Sequence, residues 1–417
     1  MKARYKYRFY PTNQQKKSLA QLFGCVRVVF NDALALCKKS QKLPKTSKLS
    51  NKVITQAKKT KDRAWLSQVS SVALQQSVRD LGIAYKNFFD SLKGKRKGIK
   101  IRSPKFKKRR NQQTARLTRN AFSINNESVY LAKIGIVKPV WSREIPSVPS
   151  SVTIIKDSAN RYFLSFVVEI EKQPAKPTNK TIGIDLGIKT FATFDTGEKI
   201  DAPKPLKKNL KRLRKLQRHL SRKRKGSKRY EQSRLKVAKL HAKIKDLRSD
   251  FLHKLSTEII RENQTIVLED LNVSGMIKKR CDPAPPKGAR ERAPRDRKLS
   301  RAISDLGWRE FRTFLEAKAE KYERDFRVID RWEPTSQTCS ICGFRGGKLD
   351  LNIREWQCLN CETILDRDIN AAINIKVAGG LRETKNGRGE GRKTFVYEAA
   401  FDETSTNQEF TQLSLFG

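Results

Sequence analysis

The apolar positions near the N-terminus recur mostly at helical spacing. Residues 70–92 place every third or fourth side chain on one apolar stripe, which predicts an amphipathic helix. An earlier helix is predicted to begin after Thr12, because Thr12 and Gln15 have the spacing of a capping box. A more weakly patterned helix is expected over residues 48–59. We therefore predict a small helical domain over residues 11–93.

The pattern changes to short alternating runs on both sides of this helical stretch. Residues 114–172 contain apolar runs separated by turns, which predicts antiparallel strands in a small barrel or sandwich. Residues 3–10 alternate basic with apolar or aromatic side chains and predict one further strand. If that strand belongs to the same β-domain, the domain comprises residues 1–10 and 94–178, and the helices are inserted in it.

Two short apolar runs in the second half of the chain each carry a carboxylate. Residues 181–187 contain Asp185 between two glycines, which would let another backbone or a ligand come close. Residues 265–271 form a second apolar run that reaches Glu269 near its end. A buried carboxylate is costly unless it is paired or bound to a cation. Each acid is therefore either a structural residue of an ordinary strand or a ligand.

A third carboxylate, Asp368, lies near the start of a helix predicted to begin after residue 366. The helix dipole favours an acid in this position, and alanines on one face of the helix would allow close packing against a sheet. Carboxylates gathered at one edge of a sheet repel each other unless cations lie between them. Three or four of them can hold two Mg²⁺ ions about 4 Å apart for phosphodiester hydrolysis. A basic protein with such a site would be a nuclease or a polynucleotidyl transferase.

Four of the seven cysteines have the spacing of a zinc ribbon. Cys339 and Cys342 form one C-x-x-C pair, Cys358 and Cys361 form another, and fifteen residues separate the pairs. Two such knuckles can offer four thiolates to one tetrahedral Zn²⁺ ion. The other three cysteines lack this spacing and are interpreted as ordinary thiols.

The charge of the chain points to a polyanionic partner. Lys and Arg number 91 and Asp and Glu 42, which gives a formal net charge of +49. Basic residues are concentrated over 93–110 and in a helical hairpin predicted over 203–250, where a coiled coil with a solvated face is the alternative. A structural nucleic-acid binder would share this composition, so charge indicates the partner and leaves the activity open. With no signal peptide or long apolar run in the sequence, we expect a cytoplasmic, nucleoid-associated bacterial protein without a membrane partner.

Several motifs resemble those of the transposon-encoded TnpB family of RNA-guided DNA endonucleases. I-G-I-D-L-G-I-K at 182–189, V-L-E-D-L at 267–271 and D-R-D-I-N-A-A-I-N-I at 366–375 are similar to its three RuvC motifs. The resemblance implies an α/β plus β-barrel architecture, in which an RNase H-like RuvC nuclease domain with a zinc ribbon insertion follows a wedge β-barrel interrupted by a helical recognition domain. The implied boundaries are 1–10 and 94–178 for the wedge domain, 11–93 for the recognition domain, 179–335 and 366–380 for the RuvC domain, and 336–365 for the ribbon.

The resemblance also implies roles for individual residues. Two Mg²⁺ ions would be held by Asp185, Glu269 and Asp368, and a structural Zn²⁺ ion by Cys339, Cys342, Cys358 and Cys361. The implied partners are a guide RNA from the end of the transposable element and a double-stranded DNA target beside a short sequence motif. Gln75, on the helix that starts near residue 70, would contact that motif.

Two alternative functions share parts of this pattern. A strand-transferring transposase of the RNase H fold would usually carry a Glu on its final helix as the third acid. Here the Glu is the second acid, and Asp368 is the last. A guided DNA-binding repressor without cleavage is disfavoured because all three acids are present.

The C-terminal residues 381–417 depart from the rest of the chain. From Thr394 onward the sequence contains four acidic residues and no Lys or Arg, so we expect disorder. The tail contains Gln412, Leu413, Leu415 and Phe416, which resemble the peptide that docks bacterial replication and repair proteins on the DNA sliding clamp. A frayed apolar terminus is the alternative.

Overall fold

The computed structural model describes residues 1–96, 100–277, 297–347, 350 and 352–385. It divides into two compact units, of which the first comprises Met1–Ile170 and the second begins at Glu171. Each unit has its own hydrophobic core.

The helices of the first unit follow the apolar pattern of the sequence. They are α1 (Asn13–Lys39), α2 (Thr46–Ser50) and α3 (Ser71–Leu92). Thr12 caps α1 as predicted: its hydroxyl accepts from the backbone N–H of Gln15, and the Gln15 side chain accepts from the backbone N–H of Thr12. The weakly patterned helix is only partly regular, because residues 51–59 continue α2 as π and 3₁₀ turns.

Helix α1 is long and apolar enough to cross a membrane, and it is the one helix with this property in the part of the chain that the structure describes. Its apolar side chains are nevertheless buried in the core of the first unit, where Leu19, Val29 and Leu34 are fully covered. The composition of α1 is therefore that of a core helix.

The strands of the first unit are hydrogen-bonded as two antiparallel sheets. They are β1 (Lys2–Phe9), β2 (Gln113–Thr118), β3 (Phe122–Asn125), β4 (Ser128–Leu131), β5 (Gly135–Val137), β6 (Pro139–Val140), β7 (Ser151–Lys156) and β8 (Tyr162–Glu169). One sheet has the order β2-β7-β8-β1-β6, and the other has the order β3-β4-β5. Strand β1 pairs with β8 from Lys2↔Glu169 to Phe9↔Tyr162, so the N-terminal strand lies in a sheet otherwise built from residues beyond the helices. In these described strands the ladder does not close into a single barrel.

The second unit is built on a mixed sheet of five strands. They are β9 (Thr181–Asp185), β10 (Thr190–Phe194), β11 (Lys199–Asp201), β12 (Thr265–Glu269) and β13 (Asp325–Ile329), in the order β11-β10-β9-β12-β13. Strand β10 is antiparallel to both of its neighbours, whereas β9, β12 and β13 run parallel to one another. The carboxyl ends of these three parallel strands therefore meet at one edge of the sheet.

Helices cover both faces of this sheet. The helices of the second unit are α4 (Pro205–Ser221), α5 (Lys228–Glu262), α6 (Val273–Ile277), α7 (Arg297–Leu306), α8 (Trp308–Tyr322) and α9 (Arg367–Lys385), and a short hairpin of β14 (Glu355–Gln357) and β15 (Ile364–Asp366) precedes α9. Along β12, Ile266 and Leu268 pack with residues of α5 and α8, whereas Val267 packs with Ile375 of α9. The period of two in a strand thus separates the two apolar layers.

Two predicted boundaries in this unit were wrong. The basic hairpin is confirmed as α4 and α5, but α5 continues to Glu262 because its later apolar residues pack on the sheet. The tail was predicted to begin at residue 381, whereas α9 ends at Lys385. Gly379 does not stop the helix; it lets α9 approach the sheet, because a Cβ there would lie 2.6 Å from Cγ1 of Val267.

Candidate active site

The fold brings the three predicted acids to the same edge of the sheet. Asp185 is the last residue of β9, and Glu269 is the last residue of β12. The parallel register pairs Ile184 with Leu268, so the two acids leave their strands at the same level. Asp368 lies in the first turn of α9, the helix that packs on β9 and β12.

A glycine in β9 lets the helix that carries Asp368 approach the sheet closely. A Cβ at Gly183 would overlap the carbonyl oxygen of Ala372 and would lie 2.7 Å from Cβ of Lys376. Ala371 and Ala372 are themselves buried. The small residues predicted from the sequence therefore do allow close packing of α9 against the strand that ends in Asp185.

Two of the three carboxyl groups have strongly raised pKa values. Burial is the main cause at Asp185, and the neighbouring charges of Asp368 and Glu269 add to it, so its pKa rises to about 7. Burial and then the charge of Asp270 raise the pKa of Glu269 to about 7. A carboxyl group in this state either keeps its proton near neutral pH or requires a cation beside it.

Arginines already neutralise part of the negative charge at this edge. Nη1 of Arg354 lies 3.1 Å and 3.2 Å from the two carboxylate oxygens of Asp368. Nη1 of Arg312 donates to Asp270 at 2.7 Å, and Arg331 also pairs with Asp270. Asp270 is therefore an ion-paired residue beside the candidate site, whereas Glu269 has no such pair with Lys or Arg among the described residues.

The four ribbon cysteines form a closed cluster. Their sulfur atoms all lie within 4.8 Å of one another, with 3.7 Å between Cys339 and Cys361 and 3.6 Å between Cys342 and Cys358. Four sulfur ligands in one cluster fit a tetrahedral Zn²⁺ ion. Within the described ranges this is the one group of three or more potential ligands gathered so tightly, so the three acids lie at one edge without forming an equally closed group.

Sequence reasoning missed the residues that join the ribbon to α9. Asp366, the last residue of β15, accepts from the backbone N–H groups of Asp368 and Ile369 at 3.0 Å and thereby caps α9. Asn370 and Asn374 bind the backbone of the first cysteine knuckle through their side-chain amides. The sequence does contain two asparagines four residues apart inside a predicted helix, where asparagine is usually disfavoured, and this could have pointed to a special role for them.

The basic hairpin presents a cationic surface. Leu213 of α4 packs with Leu240 and Ile244 of α5, while most Lys and Arg residues of the two helices are exposed. The interval 201–250 contains 20 Lys or Arg residues and 4 Asp or Glu residues. Helices with this division can contact a phosphate backbone.

Gln75 and the C-terminal peptide are the remaining residues with a predicted role. Gln75 lies exposed in the second turn of α3, where its amide is accessible. The predicted clamp peptide, with Gln412, Leu413, Leu415 and Phe416, lies outside the described residues.

Family models match three separate parts of the chain. The model OrfB_IS605, described as "Probable transposase", matches residues 165–280. A model described as "Cas12f1-like, TNB domain" matches residues 308–375, and one described as "Helix-turn-helix domain" matches residues 1–43. The first match contains Asp185 and Glu269, and the second contains all four ribbon cysteines and Asp368.

Full-length relatives are also similar to the chain. A protein of Streptomyces pristinaespiralis named "Putative RNA-guided DNA endonuclease" is 42% identical over 415 residues, which cover 95% of this chain and 96% of the relative. "Putative RNA-guided DNA endonuclease InsQ" of Escherichia coli K12 is 32% identical over 382 residues, which cover 90% of this chain and 92% of the relative. Among solved structures, a Cas12f1–sgRNA–target DNA complex matches 87% of this chain and 81% of its own chain at 14% identity, with a TM-score of 0.48.

Proposed function

Since the chain belongs to the TnpB family, whose model is OrfB_IS605, we propose that it is an RNA-guided, Mg²⁺-dependent endonuclease encoded by a bacterial insertion sequence. It would cleave double-stranded DNA next to a short motif and thereby support maintenance of its element. Two relatives that align along nearly their whole length carry the name of an RNA-guided DNA endonuclease, which supports this activity.

The observation that carries the proposal is the arrangement of the three acids. Asp185 and Glu269 end adjacent parallel strands at the same level, and Asp368 begins the helix packed against them. Placing carboxylates on three different elements of one sheet edge has no evident benefit for folding, because burial and mutual repulsion raise the pKa of Asp185 to about 7. The benefit arises if the acids bind cations.

The strand order supports an RNase H-like RuvC domain. In this five-stranded mixed sheet the second strand along the chain is antiparallel to both of its neighbours, and the first and fourth strands lie side by side at the centre. These two strands carry Asp185 and Glu269. The zinc ribbon precedes the last helix as an insertion, which agrees with the architecture expected from the family motifs.

The residues at this edge fit Mg²⁺, which prefers carboxylate oxygen ligands. Asp185, Glu269 and Asp368 would hold the ions, which when bound would activate a water molecule and stabilise the leaving oxygen. Arg354, which pairs with Asp368, would be free to face a phosphate oxygen once a cation takes over that carboxylate. Asp366 and Gly183 would keep Asp368 in place by capping α9 and by admitting it to the sheet.

The nucleic-acid partners are assigned from charge and family membership. A formal charge of +49 suits a guide RNA and a DNA target together, and the α4–α5 hairpin supplies an exposed basic surface in the nuclease unit. In the first unit we assign the strands to a wedge domain and the helices to a recognition domain. The exposed Gln75 of α3 would contact the target-adjacent motif.

The ribbon would hold a structural Zn²⁺ ion. Replacing Cys339, which is buried in the cluster, should reduce bound zinc from one ion per chain to none and unfold the ribbon locally. Metal analysis of purified Cys339→Ser would measure this, with Cys37→Ser as the control, because Cys37 is a buried thiol of α1 outside the cluster. Equal zinc content in both variants would contradict the site.

Sequencing the bound RNA tests whether the protein carries a guide. The protein should be co-expressed with the DNA that flanks its element, purified, washed at high salt, and its retained RNA sequenced. We expect one discrete RNA that ends in sequence from just outside the element.

A random population of host RNA that is lost as the salt concentration rises would contradict a guide. The positive charge would then act only as a nonspecific polyanion surface. The transposase function, which the description of the matching family model names, would become the better explanation.

A further inference from the structure

The first cysteine knuckle is bound directly to the helix that carries Asp368. Asn370 is 1% exposed; its Nδ2 donates to the carbonyl of Thr338 at 2.8 Å, and its Oδ1 accepts from the N–H of Ser340 at 2.8 Å. One turn later, Nδ2 of Asn374 donates to the carbonyls of Thr335 and Thr338 at 2.8 Å and 2.7 Å. Thr338 and Ser340 are the two sequence neighbours of Cys339, so the amides bind the backbone on both sides of a zinc-binding cysteine.

These asparagines do not serve the packing of α9 on the sheet. That contact is made by Ala372 beside Gly183 and by Ile375 and Gly379 against Val267. Asn lowers the stability of a helix interior relative to Ala, and a buried amide without a hydrogen-bond partner is destabilising. The pair is therefore satisfied only while the knuckle keeps the backbone shape that presents its carbonyls.

The ribbon also defines the first turn of α9. Asp366, at the end of the ribbon hairpin, caps the helix, and the N–H of Arg367 donates to the carbonyl of Arg354 at 2.7 Å. The side chain of Arg354 faces Asp368. The start of α9 is thus joined to the zinc-binding module by the chain itself, by the Asp366 cap and by the two asparagines.

We propose that Asn370 and Asn374 are positioning residues, which transmit the folded state of the zinc knuckle to Asp368. Zinc loading then sets the affinity of the acid site for divalent cations. The role of Asp368 rests on the proposed function, whereas the link between the ribbon and α9 does not.

The test uses two double substitutions, made separately and together, in the full-length protein bound to its RNA. One pair, Cys339→Ser with Cys342→Ser, removes zinc, and the other, Asn370→Ala with Asn374→Ala, removes the amides. Two quantities are measured for the four resulting proteins: the Kd for Mn²⁺, and hydrogen exchange of the backbone amides of residues 368–372. Gly380→Ala, at a position of α9 with nothing within 4 Å of the added Cβ, is the matched control.

We expect the asparagine variant to keep one zinc per chain and to bind Mn²⁺ about 10-fold or more weakly, as for other residues that orient metal ligands. Loss of zinc should weaken Mn²⁺ binding by a similar factor in the wild type and should have little further effect in the asparagine variant. Exchange at residues 368–372 should follow the same non-additive pattern. Asn370→Asp, which keeps the acceptor and loses the donor, should behave like the alanine variant.

Independent effects would overturn the proposal. If loss of zinc weakens Mn²⁺ binding and speeds exchange equally with and without the asparagines, the pair only stabilises the fold. If neither substitution pair changes either measurement, the ribbon and the acid site are uncoupled. A wild type that binds Mn²⁺ no better than Asp185→Asn would instead refute the acid site, and the exchange data would still decide the link between the ribbon and α9.

Discussion

The two candidate metal centres of the second unit are assembled in opposite ways. The cysteines lie within residues 339–361, and their sulfur atoms already form a group within 4.8 Å. The acids come from residues 185, 269 and 368, on two strands and a helix, and do not form such a closed group. Asp185 and Glu269 have pKa values raised to about 7, and Asp368 is engaged by an arginine.

This difference shows how much of each site is arranged by local backbone structure and how much depends on tertiary contacts. A zinc knuckle is made by a short turn, so the backbone alone brings its ligands together. The acid edge needs the sheet register, the approach of α9 at Gly183 and the cap at Asp366. Even then, the acids do not form a group as tight as that of the cysteines.

The largest effect should come from removing one acid without changing its size. Glu269→Gln should lower the rate of guided DNA cleavage by about 10³-fold, because a neutral amide supports only a small part of the several kcal/mol that metal catalysis supplies. Single-turnover cleavage with saturating RNA would measure the change.

Asp270→Asn is the matched control for that substitution. Asp270 is adjacent in sequence, but its carboxylate is paired with Arg312 and Arg331, whereas Glu269 has no such pair with Lys or Arg among the described residues. We expect an effect of a few-fold at most. Equal losses in the two variants would mean that general charge at this edge matters and that Glu269 has no special role.

The next effect concerns pH, because cation binding must displace protons from the acid site. The pKa values of Asp185 and Glu269 are raised from 3.8 and 4.5 to about 7. Both groups keep protons in the folded state where the unfolded chain has lost them. Between pH 6 and 8 the apparent affinity for Mg²⁺ or Mn²⁺ should therefore rise, by up to about 100-fold if both protons are displaced.

The same raised pKa values predict that, without metal, the free energy of unfolding falls as the pH rises, whereas the metal affinity rises. In EDTA, the folded state binds more protons than the unfolded state from about pH 4 to about pH 7, so the contribution of these two groups to stability should fall across that range as the pH rises. Asp185→Asn should reduce this slope in denaturation measured at a series of pH values.

For the metal measurement, an affinity that is unchanged between pH 6 and 8 would contradict the raised pKa values.

A smaller effect is expected from one methyl group between the sheet and α9. Gly183→Ala should destabilise the protein by about 1–3 kcal/mol, because the new Cβ would meet the backbone of Ala372 and the side chain of Lys376. Gly380→Ala, on the exposed side of the same helix, should instead leave stability unchanged or raise it by about 1 kcal/mol. Denaturant unfolding of both variants measures this, and equal stabilities would mean that α9 can shift without cost.

The sequence predicted the residues of both centres better than their surroundings. Apolar strands that end in an acid, and cysteines at knuckle spacing, are local patterns, so Asp185, Glu269 and the four thiols could be named as candidate ligands from the sequence. The contact of Arg354 with Asp368 and the asparagine pair depend on how the ribbon folds back on α9, which no local pattern encodes. The close packing of Gly379 on Val267 likewise depends on how α9 meets the sheet, which the helix sequence alone does not encode.

We propose that the three acids form the cleavage site of a guided nuclease. The most direct measurement compares wild type and Asp185→Asn, loaded with the same RNA, on plasmids that carry or lack the sequence matching the guide. We predict double-strand cleavage only by the wild type, only of the matching plasmid and only with Mg²⁺ present, while both proteins retain the RNA equally. Cleavage by Asp185→Asn at the wild-type rate, or cleavage that ignores the guide, would contradict the account.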